Sequence, residues 1–204
     1  MNGSSQRERL HRLATSLNCD GKRLGVLLAT VLVLLGIQAG GAAAVAALRY
    51  DRAALAAGQW WRLLSGHVIH LGYEHAILDA AGLVLMWALF ARDYSARAWI
   101  LIIGSSLLAV DAGLWLLSST VQWYVGSSGV LHGVLAAGTC AHLRRREPDR
   151  WVLAGLLLAK LVYEQSRGAL PLTAGGSVIV DAHLYGAAGG ALAALLLRTW
   201  RKPV

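Results

Sequence analysis

Residues 126–143 form an apolar stretch, GSSGVLHGVLAAGTCAHL, that begins with two serines between glycines. A later apolar stretch contains a lone histidine, in Ala182-His183-Leu184-Tyr185-Gly186. A serine and a histidine are the two parts of a nucleophile and base pair. Polar groups at membrane depth are costly, so they indicate a functional site by default. We therefore take Ser128 and His183 as the first candidates for a site.

The composition around these stretches predicts an integral membrane protein. Of the 204 residues, 56% are hydrophobic and only 15% are charged, which is unusual for a soluble domain. Several apolar runs approach the roughly 20 residues that a membrane-spanning helix needs. We predict an all-α fold of six membrane helices, at 24–48, 72–91, 98–117, 126–143, 151–166 and 177–197. The first of these runs is too long for the apolar region of a cleavable signal, so we expect it to remain as an anchor.

The chain divides into a short arm and one helical domain. Residues 1–22 are polar, basic and without periodicity, so we interpret them as a cytoplasmic arm and assign them no secondary structure. Residues 23–200 make up the six-helix domain, which leaves no room for a soluble domain.

The distribution of basic residues predicts the orientation in the membrane. Cytoplasmic connections are rich in Lys and Arg. With both termini cytoplasmic, one side carries most of these residues, namely Arg7, Arg9, Arg12, Lys22, Arg23, Arg92, Arg97, Arg144, Arg145, Arg146, Arg150, Arg198, Arg201 and Lys202. The opposite side carries only Arg49, Arg52, Arg62 and Arg167. Ser128 then begins its helix at the non-cytoplasmic face. The net charge of +8 is explained by anionic lipid, without a nucleic-acid partner.

The two cysteines, Cys19 and Cys140, fall on or near the cytoplasmic side, where thiols stay reduced. We therefore expect no disulfide.

The second predicted span carries further polar side chains. His75 and Asp79 are four residues apart and share one helix face, which could support an oxyanion beside Ser128. Alternatively, these groups satisfy one another between packed helices. His67, His70 and His75 also lie close in sequence, but no His-Glu-x-x-His pattern occurs, so we predict no metal site.

Glycines flank both candidate residues. Gly126 and Gly129 would let a substrate backbone approach Ser128, and a helix start leaves free N–H groups that can hold an oxyanion. Gly186 and Gly190 form a Gly-x-x-x-Gly pattern that lets helix backbones meet. An ordinary helix cap and a packing seam are the alternative interpretations. Asp181 lies two residues before His183 and points elsewhere on a helix, which favours a dyad over a triad.

Together, four short motifs resemble the rhomboid family of intramembrane serine proteases. They are Trp61-Arg62, His70-x4-His75-x3-Asp79, Gly126-Ser127-Ser128-Gly129 and Ala182-His183-x2-Gly186-x3-Gly190. The resemblance implies that Ser128 is the nucleophile and His183 the base, without a cofactor. It also implies an oxyanion site formed by His75, the Asp79 position and the Ser128 backbone N–H, and close packing of the fourth and sixth spans through Gly186 and Gly190.

Three phrases resemble the rhombosortase branch of that family, namely Gly66–Leu71, Gly129–Gly133 and Asp181–Gly186. This resemblance implies exported protein substrates with a C-terminal sorting tail, made of a Gly-Gly motif, one membrane helix and a basic cluster. It also implies a location in the bacterial inner membrane, with the active site open to the periplasmic side.

Two positions depart from the general rhomboid pattern. Asp79 stands where asparagine is usual, so we expect either a protonated acid or a carboxylate that orients His75. His132 stands where an aromatic side chain stacks on the base. We expect it to stack on His183 in preference to a second proton-transfer role.

Two other functions fit parts of the sequence. A rhomboid-like pseudoprotease would bind membrane helices without cutting them, although it would be expected to lack the serine or the histidine. A small transporter could use a polar path through Asp79, Asp111, Lys160 and Glu164. Lys160 and Glu164 are four residues apart, however, and could simply pair on one helix.

Overall fold

A computed structural model describes residues 3–169 and 178–197. This part of the chain is predominantly helical, as the composition predicts. Its α-helices are α1 (Gly3–Ser16), α2 (Lys22–Gly36), α3 (Gly41–Leu48), α4 (Arg52–Ala56), α5 (Arg62–Ser65), α6 (Tyr73–Phe90), α7 (Ala96–Leu116), α8 (Ser128–Arg145), α9 (Arg150–Arg167) and α10 (Val180–Leu196). Two short strands, β1 (Tyr50–Asp51) and β2 (Trp123–Tyr124), are added to the predicted all-α fold.

Helices lie at all six positions predicted as membrane spans, with ends that differ by at most a few residues. Three segments in the described part are long and apolar enough to cross a membrane, Lys22–Leu48, Tyr73–Phe90 and Ala96–Leu116. Many large apolar side chains on the helices face outward, among them Leu32, Ile100 and Leu108, each about 70% exposed. Apolar surface on this scale is typical of a membrane protein. Two parts of the prediction lie outside the described residues. They are the cytoplasmic basic residues Arg198, Arg201 and Lys202, and the connection 170–177.

The first predicted span is a broken helix. Between α2 and α3 the chain makes a 3₁₀ turn over Ile37–Gly40, and Gly41 follows with φ 56°. Glycine adopts this left-handed conformation without steric cost, which allows the helix to restart in a new direction. The break places Gln38 in the protein interior, where it is buried.

The N-terminal arm contains a helix that the sequence pattern did not predict, α1. The arm contacts the far end of α6 through Asn18, whose side-chain amide donates to the carbonyl oxygens of Trp87 and Ala88. Nearby, Arg92 donates to the Asp20 carboxylate at 2.6 Å. The segments predicted as cytoplasmic therefore meet at one end of the helices.

The opposite end is held together by the two strands. β1 and β2 pair antiparallel, with Tyr50 opposite Tyr124. Arg52 donates to the carbonyl oxygens of Leu114 and Trp115, which have no partners within α7 because they lie in its last turn. This pairing fixes the chain just before Ser128.

Asp51 ends strand β1 and begins α4. Its carboxylate accepts a hydrogen bond from the Ala54 N–H at 3.1 Å, which makes it the N-cap of α4, and pairs with Arg49 at 2.8 Å. Burial alone would raise the pKa of Asp51, but the Ala54 hydrogen bond and the Arg49 guanidinium outweigh it. The pKa is therefore lowered from its ordinary value of 3.8.

Helix α10 packs against α8 and α7 in the middle of the molecule. Helices α8 and α10 approach so closely that their backbone atoms are in contact. A Cβ added at Gly186 would lie 1.9 Å from the carbonyl oxygen of Gly129, and one added at Gly190 would lie 2.1 Å from that of Gly133. Only glycine fits at such a distance, so these residues set the spacing of the two helices, as the Gly-x-x-x-Gly pattern predicts.

Candidate active site

Ser128 and His183 face each other across the contact between α8 and α10. Ser128 is the first residue of α8, and His183 lies in the first turn of α10. The His183 Nε2 and Ser128 Oγ atoms are 2.8 Å apart, a hydrogen-bond distance. The backbone contact at Gly129 and Gly186 lies within one turn of both residues. At this distance the imidazole can accept the proton of the serine hydroxyl.

His132 stacks on His183. The two ring centroids are 4.1 Å apart and the ring planes differ by 15°. His132 Nδ1 lies 2.7 Å from the carbonyl oxygen of Ser128, to which it donates. Its Nε2 is buried and finds no hydrogen-bond partner among the described residues. His132 thus covers one face of the His183 ring.

Glu164 contacts the other nitrogen of His183. Its Oε2 lies 2.8 Å from His183 Nδ1, and its Oε1 accepts a hydrogen bond from Lys160. Asp181 instead accepts a hydrogen bond from Ser118 Oγ at 2.7 Å. The i, i+4 spacing predicts the pairing of Lys160 with Glu164, but their contact with His183 depends on how α9 docks against α10.

Asp79 supports the loop before Ser128. Its Oδ2 accepts from the Ser127 N–H at 2.8 Å, from Ser127 Oγ at 2.8 Å and from His70 Nε2 at 2.9 Å. Three donors on one oxygen match an ionised carboxylate, which only accepts. His70 is fixed in turn by Gln38, whose amide lies 3.3 Å from His70 Nδ1. This geometry favours the orienting role of Asp79 over the protonated acid, and the group that it orients is chiefly Ser127.

His75 lies beside the same loop, on the side of an open cavity. A cavity of about 290 Å³ is lined by both His75 and Ser128, together with residues of the β2 segment and Val178 and Ile179. His75 Nε2 is 4.0 Å from Asp79 Oδ1, beyond hydrogen-bond distance. Its imidazole is therefore available to a group bound in the cavity, as an oxyanion donor must be.

Gly126 allows the chain to pass close to His75. Its φ of 115° is in the region that favours glycine, and an added Cβ would lie 2.9 Å from His75 Cε1. The Gly126 carbonyl accepts from the Tyr124 hydroxyl at 2.7 Å. Gly126 thus sets the turn that presents Ser128 to the cavity.

Of the three histidines considered for a metal site, His70 and His75 are in edge-to-face ring contact, with centroids 5.0 Å apart, and His67 has a different partner. His67 Nε2 donates to Asp111 at 3.1 Å, whereas His70 donates to Asp79. In the described residues, the group close enough to share an ion is His132, Glu164 and His183. The two imidazole rings are stacked, and both nitrogens of His183 already contact Glu164 and Ser128.

The charges proposed for a transporter path form local pairs. Asp111 pairs with His67, Asp79 with His70 and Ser127, and Lys160 with Glu164. Each buried charge has a nearby partner, which is the usual arrangement of structural or site residues.

Sequence reasoning missed three contributors to this site, Gln38, Ser127 and Glu164. Gln38 carried one signal, because it is an amide inside a long apolar run. Glu164 carried a similar signal as an acid within a predicted span, which indicates function by default. Ser127 carried none, because its contact with Asp79 joins residues 48 positions apart.

The fold and this site define a helical membrane protein with a serine–histidine pair at a backbone contact between two helices. Residues 57–200 match the Rhomboid domain family. The chain is also similar to the protein named "Putative rhomboid protease YdcA" of Bacillus subtilis (strain 168), at 24% identity over 143 residues, which cover 70% of this chain and 69% of that protein. The chain belongs to the rhomboid family, whose members are generally serine proteases.

Proposed function

We propose that this protein is an intramembrane serine endopeptidase in which Ser128 is the nucleophile and His183 the general base. The observation that carries the proposal is the 2.8 Å contact between His183 Nε2 and Ser128 Oγ. Ser128 also lines an open cavity, so a peptide and water can reach it. His183 takes the Ser128 proton as Oγ attacks the peptide carbonyl, and returns it to the leaving amine.

The proposed oxyanion site combines His75 with the start of α8. His75 lines the cavity with Ser128. The Ser128 N–H, at the first position of α8, has no partner within the helix and lies at its positive end. The neighbouring Ser127 N–H is already bound to Asp79. A substrate oxyanion would therefore be held by the Ser128 N–H and the His75 imidazole.

We also propose six membrane-spanning helices with both termini in the cytoplasm. The contacts support this alternation, because segments predicted on one side meet each other, as Asn18 meets Trp87 and Tyr50 pairs with Tyr124. The basic residues support the orientation. In this arrangement the Ser128 cavity opens to the periplasmic side of a bacterial inner membrane.

For the substrate, we propose exported proteins with a Gly-Gly, membrane-helix and basic sorting tail. This part rests on the resemblance of Gly66–Leu71, Gly129–Gly133 and Asp181–Gly186 to rhombosortases. A Gly-Gly segment also suits an intramembrane cut, because glycine disfavours helix and such a segment unwinds easily.

A serine-reactive fluorophosphonate tests the proposed chemistry. The purified full-length protein in detergent should be labelled, and Ser128→Ala should abolish the label. Ser166→Ala is the matched control, because it removes an exposed hydroxyl on α9 that bonds the Tyr163 carbonyl and lies outside the site. Absence of labelling in folded wild-type protein would support a pseudoprotease or a transporter instead.

The substrate proposal needs a separate experiment. A secreted reporter with the tripartite tail is expressed with wild-type protein or Ser128→Ala, and mass spectrometry identifies its new C-terminus. We expect a Ser128-dependent cut near the Gly-Gly segment, and no cut when both glycines are replaced by leucine. An uncut tail in the presence of a fluorophosphonate-reactive enzyme would refute this substrate class alone.

A further inference from the structure

Glu164 is an unusual residue for a lipid-facing helix, because its charged side chain is buried. It is 1% exposed and is the buried residue of α9, whereas Trp151, Leu156 and Leu158 on the same helix are each more than 60% exposed. Burying a carboxylate is costly unless it is paired and hydrogen-bonded. The buried residue of this helix thus has a charged side chain. Apolar packing does not explain its burial.

Both carboxylate oxygens of Glu164 have defined partners. Oε2 lies 2.8 Å from His183 Nδ1, and Oε1 accepts from the Lys160 ammonium. The Lys160 side chain is 30% exposed, so it carries its positive charge from the edge of the helix to the buried acid. This ammonium balances the charge of Glu164, which allows the acid to stay ionised in the interior.

An ionised Glu164 determines the proton position on His183. Because a carboxylate only accepts hydrogen bonds, His183 Nδ1 must carry the hydrogen. Nε2 then keeps its lone pair and points it at Ser128 Oγ, 2.8 Å away. Without the acid, the imidazole could adopt the other tautomer, which cannot accept the serine proton.

Glu164 and His132 restrain the His183 ring in different directions. Glu164 holds Nδ1 by a hydrogen bond, and His132 covers one face at a centroid distance of 4.1 Å. As Ser128 loses its proton, His183 becomes an imidazolium, which the adjacent carboxylate stabilises.

We propose that Glu164 completes a Ser128–His183–Glu164 triad as a positioning residue, with Lys160 as its counter-ion. The proposal rests on the proposed serine protease function and replaces the predicted dyad with a triad. Glu164 acts through His183, by fixing its tautomer and its ring and by stabilising its protonated form.

The test compares Glu164→Gln, Glu164→Asp and wild-type full-length protein in detergent. Saturation kinetics of fluorophosphonate labelling separate the maximal rate of inactivation from the probe concentration at half-saturation. Gln165→Ala is the matched control, since Gln165 also connects α9 to α10, through the Val180 carbonyl at 3.5 Å, but is not part of the site. Thermal unfolding of each variant reports stability separately.

We expect Glu164→Gln to lower the maximal rate about 100-fold or more, since loss of the orienting acid in serine proteases is that costly. The probe concentration at half-saturation should change less than threefold. Glu164→Asp should recover part of the maximal rate. The Gln165→Ala control should match wild type in both quantities. A Glu164→Gln rate within threefold of wild type would overturn the triad. If Glu164→Gln does not fold, the Lys160→Met/Glu164→Gln variant is judged by the same criterion. Absence of Ser128 labelling in wild type would instead overturn the proposed function itself.

Discussion

Replacing Gly186 by alanine tests whether a backbone contact sets the geometry of the site. The added Cβ would lie 1.9 Å from the Gly129 carbonyl oxygen, whereas ordinary contacts begin at 3.4 Å. Helices α8 and α10 must therefore separate by about 1.5 Å to accept one methyl group. Overpacking of this kind costs about 1–3 kcal/mol of stability.

The same displacement acts on the Ser128–His183 pair. Ser128 adjoins Gly129, and His183 lies one turn before Gly186, so a separation of the helices moves both side chains apart. Their 2.8 Å contact would then exceed hydrogen-bond distance. A misplacement of about 1 Å can cost a reaction about 100-fold, so we expect at least that loss in the fluorophosphonate labelling rate.

The assay measures labelling rate and thermal unfolding for Gly186→Ala beside two control variants. In Gly104→Ala on α7 and Gly155→Ala on α9, the added Cβ meets no described atom within 4 Å. These controls should keep the wild-type rate and be slightly stabilised, because alanine favours helix by about 1 kcal/mol over glycine. A Gly186→Ala protein with at least one third of the wild-type rate and an unchanged unfolding temperature would refute the reasoning.

Three further predictions concern polar residues around the site and its loops. Asp79→Ala should label at least about 10-fold more slowly than Asp79→Asn, because the alanine leaves the buried donors on Ser127 unpaired at about 1–3 kcal/mol each, whereas asparagine still accepts. His132→Phe should keep more than about a tenth of the labelling rate, because phenylalanine can stack on the base as His132 does. Asp51→Asn should unfold at a lower temperature than wild type at pH 7, and this difference should begin to shrink as pH falls below the ordinary value of 3.8 and vanish once the lowered pKa of Asp51 is passed, because protonation ends its pairing with Arg49.

Each of these predictions can fail in a defined way. Equal labelling rates in the two Asp79 variants would show that its hydrogen bonds do not organise the loop. Complete loss of labelling in folded His132→Phe would support a proton-transfer role for His132. For Asp51, asparagine is an equally good N-cap, so a stability difference that does not shrink as pH falls below 3.8 would show that the charge is not its cause.

The helix positions could be predicted from sequence because apolar runs of membrane length are a strong local signal. Ser128 and His183 could also be chosen as candidates, since polar residues inside such runs are conspicuous, and the structure places their side chains 2.8 Å apart. The strand pair could not be predicted, because two-residue strands have no periodicity to detect. The helix α1 was missed because its sequence is mostly polar, so the helical spacing of its few apolar residues, Leu10 and Leu13, is a weak signal.

The partners of the site residues depend on tertiary packing. Lys160 and Glu164 are neighbours on any helix, so their pairing follows from spacing. The contact of Glu164 with His183 requires a particular rotation of α9, and the contact of Asp79 with Ser127 requires a loop conformation. Neither rotation nor loop conformation is encoded in a local pattern, which explains why the sequence predicted no carboxylate beside His183 and, for Asp79, either a protonated acid or a carboxylate that orients His75.

Arg144 has one role during membrane insertion and another in the folded protein. During insertion, in the predicted orientation, it counts among the positive charges that keep a connection in the cytoplasm. In the folded protein its guanidinium donates to the carbonyl oxygens of Ala194, Leu195 and Leu197 at the end of α10. Lysine in its place would preserve the topological signal but not the three-point cap. Part of the Arg144 charge is thus offset by the negative end of the α10 helix dipole rather than by anionic lipid.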